Sequence, residues 1–265
     1  MAQVINTNVQ SINSQRQLTK SQTSLNTALQ RLSSGLRINA AMDDAAGLAV
    51  TMKMDAQLRG MTVAVRNASD GISFSQTADT AMEVVNDQLQ RMRELATQSL
   101  NGTLSNTERT KIDVEYGQLQ TEITRIQGAA KLNGMDVLTG SDFSFQVGAD
   151  AGQSINATFT SVDVSGTSVS TTAGASVALA SIDKWLGSVA TERANIGGVQ
   201  SRLNFTISYL EGAIENQSAA KSRILDADFA AETAALTRGQ ILQQSGVAMV
   251  SQANSIPQNV LSLLR

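Results

Sequence analysis

Near the C-terminal end of this 265-residue chain, Leu242, Gly246, Met249, Ala253, Ile256, Val260 and Leu263 recur at alternating intervals of four and three. That spacing draws one narrow apolar stripe along an α-helix, the seam of helix-on-helix packing. Gly246 and Ala253 keep the stripe thin, so a partner helix can approach closely. Near the other end, Leu18, Leu25, Leu29, Leu32 and Leu36 are spaced 7, 4, 3 and 4. Each seam needs a second helix, and there is no Cys to tie the ends by other means. The natural solution lays the N- and C-terminal helices side by side. Pro257 should bend the C-terminal helix or end its first part.

The inner segments repeat the theme. Met54, Leu58, Met61, Val65, Ala68 and Ile72 form one seam. Ala78, Met82, Val85, Leu89, Met92, Ala96 and Ser99 form another in a new phase, which predicts a break near Gly71 to Gln76. Asn101-Gly102 reads as a turn. Ser105 and Glu108 make a capping box, opening a helix with Ile112, Tyr116, Leu119, Ile123, Ile126 and Ala130 on one face. Farther on, Ile196, Leu203, Ile207, Leu210, Ile214, Gln217 and Ile224 mark a long helix. Asn133-Gly134 is a turn signal, and Phe143, Phe145, Val147 and Ile155, Ala157, Phe159 alternate with polar residues. A small β-hairpin region near 133–160 follows. The Ser- and Thr-rich stretch 161–180 reads as a short exposed connector. The expected fold is mainly α: an elongated rod of long antiparallel, coiled-coil helices from both termini, with the β-hairpin region in the middle. We divide it into a terminal coiled-coil domain, 1–42 plus 226–265, and a helical rod domain, 43–225, tipped by the connector.

Composition closes several function classes. Only 3% of residues are aromatic, although 42% are hydrophobic, which suits narrow helical seams better than a rounded core. With neither His nor Cys, histidine bases, Ser-His-Asp triads, thiol nucleophiles and the common zinc sites are unavailable. No catalytic, cofactor or metal residues are assigned. A formal charge of −3 gives no electrostatic case for nucleic acid or an anionic membrane. MAQVINTNVQSINSQRQ has neither the basic nor the apolar region of a secretory signal peptide. Gly239 to Leu264 is uncharged and long enough to span a bilayer. Its amides, Gln240, Gln243, Gln244, Gln252, Asn254, Gln258 and Asn259, would be costly in lipid. Asp43 and Asp44, and Asp226 and Asp228, read as helix caps rather than a catalytic pair. The glycines of RLSSGLR and DDAAGLA lack the order of a phosphate loop. The methionines at 42, 52, 54, 61, 82 and 92 read as plastic packing.

Several long blocks carry a family likeness. INTNVQSINSQRQLTKSQTSL, RLSSGLRINAAMDDAAGLA, RNASDGISFSQTADTAM and QRMRELATQSLNGTLS follow one another. The chain ends on ENQSAAKSRILDADFAAETAALTRGQILQQSGVAMVSQANSIPQNVLSLLR. In this order they resemble bacterial flagellin, the subunit of the flagellar filament, over about residues 1–150 and 180–265. Met42 stands where the family commonly has Lys, and Ser245 where it has Ala. The middle is so short that the outer domains of larger members look absent.

The resemblance implies a helical homopolymer used for motility, located outside the cell. It implies termini paired into a coiled-coil domain lining the filament's inner tube, with Leu18, Leu25, Leu29, Leu32, Leu36, Leu242, Met249, Ala253, Ile256, Val260 and Leu263 at the subunit interface. It also implies unfolded export through the flagellar type III apparatus with an export chaperone, and contact with hook-associated junction and cap proteins. QRMRELA resembles the segment read by the vertebrate Toll-like receptor for flagellin, with Arg91, Leu95, Gln98 and Glu115 as candidate contacts. A hook–filament junction or cap-type protein would share the helical termini, but should have a fuller middle. Some flagellins carry a zinc peptidase in the middle; without His, an H-E-x-x-H site cannot form here.

Overall fold

The structure, a computed structural model, describes residues 7–262, with the backbone alone over 256–262. Five helices and two small antiparallel sheets make up the fold: α1 (Val9–Ser34), α2 (Ala45–Ser99), α3 (Asn106–Ala129), β1 (Lys131–Leu132), β2 (Met135–Asp136), β3 (Asp142–Gln146), β4 (Ser154–Thr158), α4 (Thr172–Leu225) and α5 (Phe229–Ser262). The chain forms two compact units, residues 1–56 with 216–265 and residues 57–215. Their boundaries fall inside α2 and α4 rather than at the helix ends near 42 and 226.

Local chemistry sets the helix ends. The Asn8 side chain accepts from the Ser11 amide at the start of α1, and Gly35, at φ 72°, closes it in the left-handed conformation that glycine adopts without strain. The Asp44 carboxylate accepts from the Gly47 amide at 2.8 Å, and Asp228 accepts from the amides of Ala230 and Ala231. Asp43 accepts from the amides of Asn39 and Ala40, which hold its pKa below the ordinary carboxylate value. In each acidic pair one member thus caps a helix, Asp44 for α2 and Asp228 for α5, while Asp43 ties the turn before α2 and Asp226 accepts from the Ser222 hydroxyl. The Ser105–Glu108 capping box forms in full, and the Ser105 amide lowers the Glu108 pKa. Asn133 (φ 51°) and Gly134 (φ 80°) make the tight turn between β1 and β2.

Three expectations are corrected. No break occurs at Gly71 to Gln76, because α2 runs through it. Gly71 serves close approach instead: a Cβ there would lie 3.1 Å from Leu203 and 3.2 Å from Phe145. The change of seam phase marks a change of partner. Met61 and Ala64 pack with Leu210, and Ala68 with Leu203 and Ile155, whereas Met82, Leu89 and Met92 enter a larger core with Tyr116, Ile123 and Ile182. Second, of the two effects expected of Pro257, ending the helix does not occur, since α5 continues to Ser262. Third, 161–180 is not an exposed connector throughout. Helix α4 begins at Thr172, its first turn capped by the Thr171 hydroxyl accepting from the Gly174 amide. Val162, Val164 and Val169 are buried. Gln120 donates to the Val164 carbonyl, Ser99 to the Val169 carbonyl, and Asp113 accepts from the Val169 amide. The segment is a strap over the 57–215 core.

That core gathers most of the chain's few rings. Phe74 lies 4.5 Å from Phe143, 5.8 Å from Phe145 and 6.1 Å from Phe159, centroid to centroid. The Tyr116 ring is buried, and its hydroxyl pairs with Thr167 at 2.8 Å. Burial raises the Tyr116 pKa.

Candidate subunit interface

In the unit made of 1–56 and 216–265, α1 packs against α5. Two glycines set the spacing. A Cβ at Gly246 would sit 3.0 Å from Leu18, and one at Gly239 would sit 3.1 Å from Leu25. The two leucines and the two glycines are each seven residues apart, so each Leu enters a notch left by a Gly two turns along. At one end Asn8 donates to the Ala253 carbonyl at 2.7 Å, and Ser11 to the Asn254 side chain at 2.7 Å. At the other, Arg31 pairs with Glu232 at 3.0 Å. Beyond Arg31 both paths are zipped by backbone: the Arg37 amide donates to Leu225, and the Ala227 amide to Gly35. Leu36 faces Asp226 across that bridge, and Lys221 pairs with Asp55 at 2.6 Å.

The expected seam residues divide into two groups. Leu25 and Ala253 are buried within the α1–α5 pair, so they hold the pair itself and offer no surface to a neighbour. Leu18, Leu32 and Leu36 are half-buried. Leu29, Leu242 and Met249 remain exposed, Met249 by 60%. Ile256 and Val260 lie on α5 with side chains outside the described residues, and Leu263 lies outside them altogether. The seam analysis missed Val9, Ile12, Ile241 and Val247, which are also exposed. Their signal was present as apolar residues off the seam, which only a helix pair with a second apolar side requires. Leu18, Leu242, Gly246 and Met249, with Asn13, Ser14, Gln17, Ser21 and Ser245, line a groove of about 330 Å³ along the pair. Among the described residues, no helix is long and apolar enough to cross a membrane.

The candidate receptor contacts lie in the other unit. Arg91 bridges Glu94 at 2.8 Å and Glu115 at 2.9 Å, and these bonds, Glu94 first, raise its pKa. Gln98 is exposed. Leu95 is only 2% exposed and belongs to the core. It falls on the inward face of α2 beside Met92 and Ala96, so it is not a surface residue of the folded chain.

The comparisons with known proteins bear on this arrangement. Residues 5–142 match the family model of the bacterial flagellin N-terminal helical region. Residues 179–264 match that of the bacterial flagellin C-terminal helical region. The chain belongs to the bacterial flagellin family. As a flagellin it is a structural subunit of the extracellular flagellar filament, and its partner there is itself. The flagellin of Halalkalibacterium halodurans is 43% identical over 271 residues, covering 99% of this chain and 100% of its own. Flagellin FlaB1 of Treponema pallidum is 39% identical over 285 residues, with the same coverage. Such full-length matches are those of a short flagellin. A solved structure from Vibrio parahaemolyticus, provisionally described as a flagellar hook-associated protein, superposes with a TM-score of 0.61. It covers 69% of this chain and 100% of that one at 13% identity, a likeness of fold alone.

Proposed function

We propose that the α1–α5 pair is the part through which each copy of this flagellin holds its neighbours, and that it forms the inner tube of the filament. The observation that carries this reading is the two-sided apolar character of the pair. Leu25, Ala28 and Ala253 are covered within it, while Ile12, Leu29, Ile241, Leu242, Val247 and Met249 stay open to solvent. A monomer gains little by exposing so many large apolar side chains on two helices, and such patches mark surfaces that meet another protein. Residues 57–215, with their own core, are the part that stays folded in the free subunit. Met249→Asp tests the reading. A carboxylate buried without a partner in an interface carries a large penalty, whereas on the exposed face of a free monomer it costs little. The expected outcome is an unchanged monomer melting temperature with filaments shortened or lost. Filaments of normal length and number would overturn it.

The family likeness also supports export in the unfolded state through the flagellar type III apparatus with a chaperone, and contact with hook-associated junction and cap proteins. It supports recognition by the vertebrate Toll-like receptor for flagellin through Arg91, Gln98 and Glu115, without Leu95. Because Arg91 and Glu115 are salt-bridged across α2 and α3, they would act as one patch. Arg91→Ala should weaken binding of the monomer to an immobilised receptor ectodomain while leaving filament formation intact. Equal binding by variant and parent would remove these residues from the reading.

A further inference from the structure

Three of the chain's nine aromatic residues are open to solvent, and two of these, Phe205 and Tyr209, stand four apart on one face of α4. They are 75% and 73% exposed. In a chain this poor in rings, placing two of them together in water is a costly arrangement unless something covers them. At the same level of the unit, α2 carries Arg59, Val63 and Arg66 on an exposed stripe of its own.

The contacts between the two helices fix which way these surfaces look. Met61 and Ala64 of α2 pack with Leu210 of α4, and Ala68 packs with Leu203. Positions 59, 63 and 66 lie about half a turn from 61, 64 and 68, and positions 205 and 209 lie more than a quarter turn from 203 and 210. The aromatic pair and the Arg–Val–Arg stripe therefore look away from each other, on opposite sides of one two-helix layer. They are also complementary. An exposed Val between two guanidinium groups offers an apolar floor with a cation at each end, which suits two aromatic faces one helical turn apart.

We propose that Phe205 and Tyr209 of one copy of this chain dock on the Arg59–Val63–Arg66 stripe of the next, a head-to-tail contact in the filament. The occupant is a second copy because knob and counter-surface are carried by the same chain on opposite sides. A heterologous contact of that kind repeats without closing on itself, as an open helical polymer requires. This inference rests on the filament reading and adds a second contact to it, within 57–215 and apart from the α1–α5 pair.

The absence of Cys makes the test direct. Two single variants, Phe205→Cys and Val63→Cys, are polymerised alone and as an equal mixture, then exposed to mild oxidation and run on a non-reducing gel. A disulfide needs Cα atoms within about 7 Å. The contact predicts covalent dimers in mixed filaments and none in either single-variant filament. Dimers from Phe205→Cys alone would mean a symmetric contact and overturn the proposal. So would mixed filaments without dimers, which would leave the rings to a different partner while the filament reading stands. Failure of the unaltered chain to polymerise would instead overturn the filament reading itself. A second measurement follows assembly. Phe205→Ser combined with Tyr209→Ser should leave monomer melting unchanged and raise the critical concentration for filament growth several-fold. An unchanged critical concentration would count against the contact.

Discussion

The two units of this flagellin are built from the same kind of helix and differ in what they bury. In 57–215, Tyr116, Phe159, Met82, Leu89, Met92 and Ile123 are fully buried in one cluster shared by α2, α3, α4 and the strap. In the unit formed by 1–56 and 216–265, the buried apolar residues among those described are Leu25, Ala28, Ile38 and Ala253, with Ser11 and Thr51 as buried polar ones. Long helices draw their stability from tertiary packing more than from propensity. The first unit supplies that packing from its own chain. The second has two glycine notches, a few hydrogen bonds and the Arg31–Glu232 and Lys221–Asp55 ion pairs, and leaves much of its described apolar surface exposed. Under the proposed reading, a subunit made this way gains its final order on joining the polymer.

The largest expected effect is therefore a difference in protease resistance. Limited digestion of the dilute monomer should remove both ends and leave a fragment near 57–215, the compact unit with the closed core. Mass spectrometry of the resistant fragment would show it, and the same digestion of filaments should spare the ends. Termini that resist protease in the monomer would break the comparison.

Next in size is Leu89→Ala, which removes a fully buried side chain from the 57–215 cluster. The expected loss is about 2–5 kcal/mol, seen as a lower melting temperature of the monomer by circular dichroism. The contrast with Met249→Asp is what sharpens the comparison, since one should move the monomer and the other only the filament. Equal monomer shifts from both would mean that Met249 is already covered in the free monomer rather than left open for a neighbour.

The smallest effect is on the acid side. The pKa of Glu108 is lowered in the folded chain, so its contribution is present above the unfolded carboxylate value and is lost as pH falls through the lower, folded value. Glu108→Gln keeps a capping-box side chain but cannot titrate. Its monomer should lose less stability over that acid window than the parent. Asp43 is lowered in the same sense but lies in the terminal unit, so Asp43→Asn should leave the acid melting curve of the monomer unchanged. A shift from Asp43→Asn equal to that from Glu108→Gln would again place folded structure in the terminal unit of the monomer.

What the sequence determined by itself is local. The Ser105–Glu108 capping box, the carboxylate caps at Asp44 and Asp228 and the Asn133-Gly134 turn appear where they were expected, because each needs only neighbours a few residues away. The spacing of Leu18 and Leu25 and the stripe through Leu242 and Gly246 were likewise enough to pair α1 with α5, since a long apolar stripe has few ways to be covered, while the seating of Leu25 on Gly239 and Leu18 on Gly246 came with the structure. The tertiary structure decided what depends on residues far along the chain. Gly71 looked like a break and is a close-approach point, because Phe145 and Leu203 arrive from distant segments. The 162–169 strap looked like an exposed connector and is buried, because Gln120, Asp113 and Ser99 collect its backbone. Leu95 reads as a candidate surface contact until the core shared with Tyr116, Ile123 and Ile182 takes it in beside Met92 and Ala96. Periodicity tells which residues share a face, and the partners brought in by the rest of the chain settle whether that face meets a core, a neighbouring copy or water.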